Sequence, residues 1–108
     1  MYEPSRHIAT YHIAGFQHWD GALALGNLKP GTRLDMAPEP DNPFDPEAVA
    51  LFHEKTKLGY IPAAENSLVS TLSFYGHADA FEMRVLQVDA EAAPWRQVRV
   101  GLYVRDAR

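Results

Sequence analysis

The stretch VRVGLYVR, residues 98–105, alternates apolar side chains with others along its whole length. One side of an extended chain would carry Val98, Val100, Leu102 and Val104, and the other side Arg99, Gly101, Tyr103 and Arg105. Such strict alternation predicts a β-strand with one face packed on a core and the other face open to solvent. The most regular segment of the chain is therefore typical of a sheet protein.

Five other segments carry strand signals of the same kind, although they are less regular. They are residues 6–14, 32–37, 48–52, 57–61 and 81–88. In the last segment the alternation slips at Leu86, which predicts a β-bulge. A helix is predicted at about residues 64–75, where Leu68 and Leu72 lie one helical turn apart. These elements predict one mainly β domain spanning residues 1–108: a small, six-stranded, partly open β-barrel with one α-helix.

The composition limits the function classes that are open to the chain. It has no cysteine, which removes disulfide and thiolate–zinc frameworks, and it has no apolar run of membrane-spanning length. Its net charge of −4 argues against non-specific attraction to nucleic-acid backbones. The charge is uneven, because residues 35–47 carry only acidic charge whereas residues 84–108 carry five arginines. We expect a cytoplasmic protein, not associated with a membrane, with an acidic corner and a basic tail.

Residues 39–47, EPDNPFDPE, are called the acidic corner below. The Asn-Pro pair at 42–43 and the Asp-Pro pair at 45–46 predict two turns, because Asn and Asp side chains bond nearby backbone amides and proline restricts the chain. Phe44 is held between these turns. Its ring either anchors the next strand in the core or is presented to a ligand, and the residues leave both interpretations open.

The order of several motifs closely resembles that of the HIRAN domain. The motifs are GFQHWDG at residues 15–21, LKPG at 28–31, EPDNPFDPEAVAL at 39–51 and KLGYIP at 57–62. The most specific element is Asn-Pro-aromatic-Asp followed by Ala-Val, with Leu-Gly-aromatic-Ile-Pro further on. The similarity spans nearly the whole chain, and it implies a barrel of the oligonucleotide-binding type, that is, an OB-like fold.

The resemblance also implies a function. In DNA-binding members of the family, a pocket captures the free 3′ end of single-stranded DNA. The aromatic ring of the Asn-Pro-aromatic-Asp motif stacks on a base and the Asp accepts the terminal 3′ hydroxyl, roles that would fall here on Phe44 and Asp45. His18, Trp19 and Tyr60 are expected near the same pocket, where further rings can stack.

The chain departs from the DNA-binding members at basic positions. Gln17 and His18 stand where those members carry a basic residue and a tyrosine, and Ala63 stands where they offer a lysine. Two cationic contacts are therefore missing. On the open face of the last strand, Arg99 and Tyr103 offer a cation and a ring, a pattern that suits a single strand but also suits an ordinary solvated face.

The predicted function is a non-enzymatic module that binds single-stranded DNA, at free 3′ ends or at damaged or stalled-fork DNA. Single-stranded DNA is the expected partner, together with a protein such as a DNA translocase or a nuclease. No catalytic residue, cofactor or metal site is predicted, because the histidines are scattered and no nucleophile motif is present. Two alternatives stay open: a protein-interaction adaptor that uses the same groove, and a metal-dependent hydrolase built from His18, Asp41 and Asp45.

Overall fold

The structure is a computed structural model that describes residues 5–105. Antiparallel strands dominate it. The strands are β1 Ser5–His12, β2 Arg33–Pro38, β3 Val49–His53, β4 Thr56–Tyr60, β5 Phe81–Val88 and β6 Val98–Arg105. They form one six-stranded sheet in the order β1-β6-β5-β2-β3-β4, and every neighbouring pair is antiparallel. The predicted six-stranded, mainly β fold is confirmed, with each strand within one or two residues of its predicted bounds.

Helices are short and lie in the connections between strands. There are two α-helices among the described residues, α1 Gly21–Ala24 and α2 Ser67–Phe74. The helix α2 lies inside the segment predicted as helical, whereas α1 is a single turn in addition to the one predicted helix. The connections also contain 3₁₀ turns, at Phe16–His18, Leu25–Asn27, Ala63–Glu65, Ala78–Ala80 and Pro94–Arg96.

One hydrophobic core fills the curve of the sheet. As the alternation predicts, Val98, Val100 and Leu102 of β6 are buried. The predicted bulge in β5 is confirmed, because its register with β6 shifts between Val85 and Gln87. The largest fully buried side chains from the rest of the fold are Ile13, Leu51, Leu58, Ile61 and Met83. Strands on both sides of the curl therefore share a single apolar interior.

The two edge strands, β1 and β4, come together at one place. Just after β1, the backbone amide of Ala14 donates to the carbonyl of Tyr60 at 2.8 Å, and the amide of Tyr60 donates back at 2.9 Å. Gly59 permits this approach, because its φ is +146° and a Cβ at this position would lie 2.4 Å from the carbonyl oxygen of Ala14. The sheet thus curls into a partly open barrel whose edges are joined at this bridge.

Candidate functional site

The acidic corner is fixed by its own Asn and Asp side chains. Asn42 Oδ1 accepts hydrogen bonds from the backbone amides of Phe44 and Asp45, at 2.9 and 3.1 Å. Asp45 Oδ1 in turn accepts a hydrogen bond from the amide of Glu47 at 2.9 Å. These bonds are the local side-chain turns that the Asn-Pro and Asp-Pro pairs predict, so that prediction is confirmed.

Phe44 points away from the core. Its side chain is 94% exposed, so the interpretation as a core anchor is wrong. The ring forms part of the wall of a groove of about 870 Å³ that lies beside the acidic corner. An aromatic ring held open on a fixed backbone is available for stacking without a prior rearrangement of the corner.

The groove collects most of the residues that sequence reasoning singled out. Five of them line it: His18, Trp19, Phe44, Asp45 and Tyr60. They come from three separate parts of the chain: the 3₁₀ turn Phe16–His18 with the residue after it, the acidic corner, and the end of β4. The bridge between the barrel edges, which includes Tyr60, brings the first and last of these parts together.

Three other candidate residues lie outside the groove wall. Gln17 is exposed on the same 3₁₀ turn as His18. Arg99 and Tyr103 lie on β6; Arg99 lines a separate, smaller cavity. The Tyr103 ring is 5.1 Å from the ring of His7 and lies under the guanidinium of Arg84 at 4.5 Å. The structure therefore separates the β6 residues from the aromatic groove.

A hydrogen-bonded network of Glu39, Lys57 and Tyr60 organises one wall of the groove. Lys57 Nζ donates to Glu39 Oε2 and to Tyr60 Oη, both at 2.8 Å, and Tyr60 Oη donates to Glu39 Oε1 at 2.9 Å. The same ammonium lies 3.9 Å from the centroid of the Trp19 ring, a cation–π contact. Trp19 and Tyr60 also meet edge to face, with ring centroids 6.0 Å apart. The network therefore holds two of the groove's rings in place.

Both charges in this network are stabilised by their partners. Burial on its own would raise the pKa of Glu39, but hydrogen bonds from Lys57, Asn42 and Tyr60, together with the Lys57 charge, outweigh burial and lower the pKa. Burial would likewise lower the pKa of Lys57, yet the hydrogen bonds and charges of Glu39 and Tyr60 raise it. The pair therefore stays ionised around neutral pH.

Asp45 is partly engaged. Its Oδ2 accepts a hydrogen bond from Asn66 Nδ2 at 2.9 Å, and Asn66 is 2% exposed. Each carboxylate oxygen of Asp45 thus has one donor within the protein. Because a carboxylate oxygen can accept two hydrogen bonds, acceptor capacity remains for a ligand hydroxyl.

The metal-dependent hydrolase gains no support from the geometry. His18, Asp41 and Asp45 do line the same groove. However, nowhere within residues 5–105 do three His, Asp or Glu side chains converge as a metal ion requires.

In that same part of the chain, no helix is long and apolar enough to cross a membrane.

Sequence reasoning missed three residues that shape the groove: Glu39, Lys57 and Asn66. Their contacts join residues 18 to 21 positions apart, so no local pattern reveals them. The signal that could have found two of them is the meander of β2, β3 and β4. Pairing these strands in sequence brings the end of β2, beside Glu39, towards β4, which carries Lys57 and Tyr60.

A curled six-stranded sheet with an aromatic-lined groove beside the Ala14–Tyr60 bridge defines a small β-barrel module. Residues 8–105 match the family model of the HIRAN domain. The chain therefore belongs to the HIRAN domain family, which is known as a family of nucleic-acid-binding modules.

Two solved structures share the fold. A crystal structure of a protein from Lactobacillus plantarum superposes with a TM-score of 0.77 at 22% identity, covering 93% of this chain and 94% of that one. The crystal structure of the HIRAN domain of human HLTF superposes with a TM-score of 0.62 at 11% identity, covering 95% and 82% of the two chains. No curated protein matches the sequence significantly. At these identities the likeness shows the common OB-like fold.

Proposed function

We propose that the groove binds the end of a single strand of DNA. The observation that carries this proposal is the 94% exposure of Phe44, on a corner held by hydrogen bonds from the Phe44 and Asp45 amides to Asn42. A ring presented in this way offers a flat apolar face to a base. Stacking on such a face stabilises binding by roughly 1 to 3 kcal/mol per base and tolerates any sequence.

Asp45 would recognise the strand terminus. It follows Phe44 directly and lines the same groove, so a nucleotide stacked on the ring has its sugar within reach of the carboxylate. A free 3′ hydroxyl donates a hydrogen bond to that carboxylate, whereas a 3′ phosphate only adds negative charge beside it. Such a site therefore favours a bare 3′ hydroxyl over a 3′ phosphate.

The charge of the groove supports selection of an end over recognition of a backbone. Its walls carry the carboxylates of Glu39, Asp41 and Asp45. The one ammonium among the described lining residues, that of Lys57, is paired with Glu39 at 2.8 Å. A groove with this balance repels phosphates, so bases and a terminal hydroxyl are the parts of a strand that it can accept.

Fluorescence anisotropy with matched oligonucleotides tests this proposal. The wild-type protein is titrated with strands that end in a 3′ hydroxyl or a 3′ phosphate, at low salt. We expect tighter binding to the hydroxyl end and loss of this preference in Asp45→Asn. Asp35→Asn, which makes the same charge change at an exposed residue of β2, serves as control. Equal binding of the two ends by the wild-type protein would remove the end-recognition claim.

A module of this kind would act where free strand ends arise, in DNA repair or at stalled replication forks. This placement follows from the ligand: a terminal 3′ hydroxyl on single-stranded DNA is produced by breakage, resection or arrested synthesis. A translocase or nuclease acting on the same DNA is the corresponding protein partner.

The acidic groove also favours a second candidate, a protein-interaction adaptor. The carboxylates of Asp41 and Asp45, which make no ion pair within residues 5–105, complement a basic peptide better than a polyanion. Competition between a short oligothymidine and a lysine-rich peptide distinguishes the two functions. If the peptide displaces the oligonucleotide and binds more tightly, the adaptor becomes the better description. If only the oligonucleotide binds in a Phe44-dependent way, the nucleic-acid function stands.

A further inference from the structure

We propose a second ligand site, a phosphate-binding pocket built from His12, Arg96 and Arg99. Resting on the proposed function, it takes an internucleotide phosphate of the strand whose end lies in the groove. The pocket is a cavity of about 260 Å³, separate from the groove beside Phe44.

Three strands place polar side chains in one row across this pocket. In the β-ladders, Arg99 of β6 pairs with His12 of β1 on one side and with Gln87 of β5 on the other. Directly paired residues of antiparallel strands project from the same face, and all three of these side chains are exposed. Arg96 joins the row from the 3₁₀ turn Pro94–Arg96, just before β6 begins.

The arginines of the pocket differ from Arg33 of β2 and Arg84 of β5. Arg33 and Arg84 are both paired with the buried carboxylate of Glu82. Within residues 5–105, by contrast, neither Arg96 nor Arg99 makes an ion pair. These two guanidiniums are therefore available for an external anion.

One carboxylate, that of Asp89, also lines the pocket. Its Oδ1 accepts a hydrogen bond from the backbone amide of Glu91 at 3.0 Å, so the Asp89 carboxylate stabilises a local turn. Two arginines against one engaged carboxylate leave the pocket net positive. A guanidinium suits phosphate because its planar set of N–H donors can bind two phosphate oxygens at once.

The pocket lies next to the groove across a short ridge. The 3₁₀ turn Pro94–Arg96 packs against the 3₁₀ turn Phe16–His18. His18 lines the groove on one side of this ridge, and Arg96 lines the pocket on the other. A strand that leaves the groove over this ridge reaches the pocket within a few nucleotides, and the phosphate that the acidic groove repels meets cations there.

The experiment compares oligothymidines of two lengths by anisotropy. A strand of about two nucleotides fills the groove alone, and one of about ten nucleotides also reaches the pocket. We expect Arg96→Gln/Arg99→Gln to weaken binding of the longer strand at least about tenfold, because charge-assisted hydrogen bonds to phosphate are removed, and to leave the shorter strand unchanged. The slope of log K against log salt for the longer strand becomes shallower by about 0.7 for each phosphate that the arginines no longer neutralise.

The control is Lys29→Gln/Lys55→Gln, which makes the same charge change at two exposed lysines that line neither site. If the arginine variant behaves like this control while the wild-type protein binds both strands, the phosphate pocket is overturned and the proposed function stands.

If the wild-type protein binds neither strand, the proposed function fails, and NMR titration with inorganic phosphate decides on the pocket separately. Shifts at Arg96 and Arg99 that disappear in the double variant keep it as an anion site. Absent shifts overturn it.

Discussion

The groove beside the acidic corner and the pocket at His12, Arg96 and Arg99 use charge in opposite ways. In the groove, the Lys57 ammonium is hydrogen-bonded to Glu39 and Tyr60 and lies against the Trp19 ring. Its charge therefore positions other side chains. In the pocket, two guanidiniums have no ion-pair partner within the described residues 5–105. The lysine of the groove is therefore engaged within the protein, whereas the two arginines of the pocket are not paired with a carboxylate in that part of the chain.

This difference separates two tasks that DNA-binding surfaces often combine. Rings and hydrogen-bond acceptors can recognise the end of a strand, whereas phosphates require cations. A net charge of −4 therefore does not exclude a nucleic-acid ligand, provided that the cations lie where the backbone passes. Four experiments test the internal organisation of the groove.

Replacement of Gly59 by alanine should disrupt the Ala14–Tyr60 bridge that joins the barrel edges beside the groove. The added Cβ would lie 2.4 Å from the carbonyl oxygen of Ala14 and 2.7 Å from Ile13 Cγ2, at a φ of +146°. Strain and overpacking together should lower the free energy of unfolding by about 3 kcal/mol, measured by urea denaturation. Gly26→Ala is the control, because a Cβ there meets nothing within 4 Å. Equal stability of the two variants would mean that the close approach of Gly59 to Ala14 does not constrain the barrel.

Lys57→Met should show that the ammonium is a structural part of the groove. The substitution leaves the half-buried Glu39 carboxylate without its cation and removes a donor to Tyr60. We expect the free energy of unfolding to fall by about 2 kcal/mol, in line with the removal of hydrogen bonds to charged groups. Lys55→Met, on the exposed β3–β4 turn, should change it by less than about 0.5 kcal/mol. A neutral result for Lys57→Met would contradict a structural role for the ammonium.

Asn66→Ala should loosen Asp45 while leaving the rings in place. Asn66 is 2% exposed and donates to Asp45 Oδ2, so its loss leaves that oxygen without its protein donor. The expected loss in unfolding free energy is about 1 to 1.5 kcal/mol. Asn27→Ala, at an exposed residue of the 3₁₀ turn Leu25–Asn27, is the matched control. If the two variants unfold alike, the bond from Asn66 does not hold the corner.

The pH dependence of stability should give the smallest effect. The pKa of Glu39 is lowered from its ordinary value of 4.5, so the network contributes fully above that pH and is lost as the pH falls through the folded-state pKa. Between about pH 6 and pH 3, wild type should therefore lose more unfolding free energy than Glu39→Gln, by less than about 1 kcal/mol because the group is partly exposed. Parallel pH profiles for the two proteins would contradict a stabilising role for the ionised Glu39 carboxylate.

Much of the fold could be predicted from the sequence because its signals are local. The alternation of residues 98–105 predicted the face of β6 that is buried, and the slip at Leu86 predicted the bulge in β5. The turns of the acidic corner followed from Asn42 and Asp45, whose side chains bond amides two or three residues away. Such short-range preferences need no knowledge of the tertiary structure.

The site was only partly predictable, because its contacts depend on how distant segments meet. Whether Phe44 packs inward or outward was left open by the sequence, since turn chemistry fixes the backbone and not the partner of the ring. The pairing of Glu39 with Lys57 joins the residue after β2 to β4. The Ala14–Tyr60 bridge, which brings Tyr60 to the turn carrying His18, depends on the curvature of the whole sheet.

The most direct test of the central claim compares two exposed phenylalanines. Phe44 is 94% exposed at the groove, and Phe74 is 77% exposed on α2, outside it. Each is replaced by alanine, and binding of a 3′-hydroxyl oligothymidine is measured by anisotropy beside urea unfolding. We expect Phe44→Ala to weaken binding about tenfold at unchanged stability, whereas Phe74→Ala should bind like wild type. Wild-type binding by Phe44→Ala would contradict it.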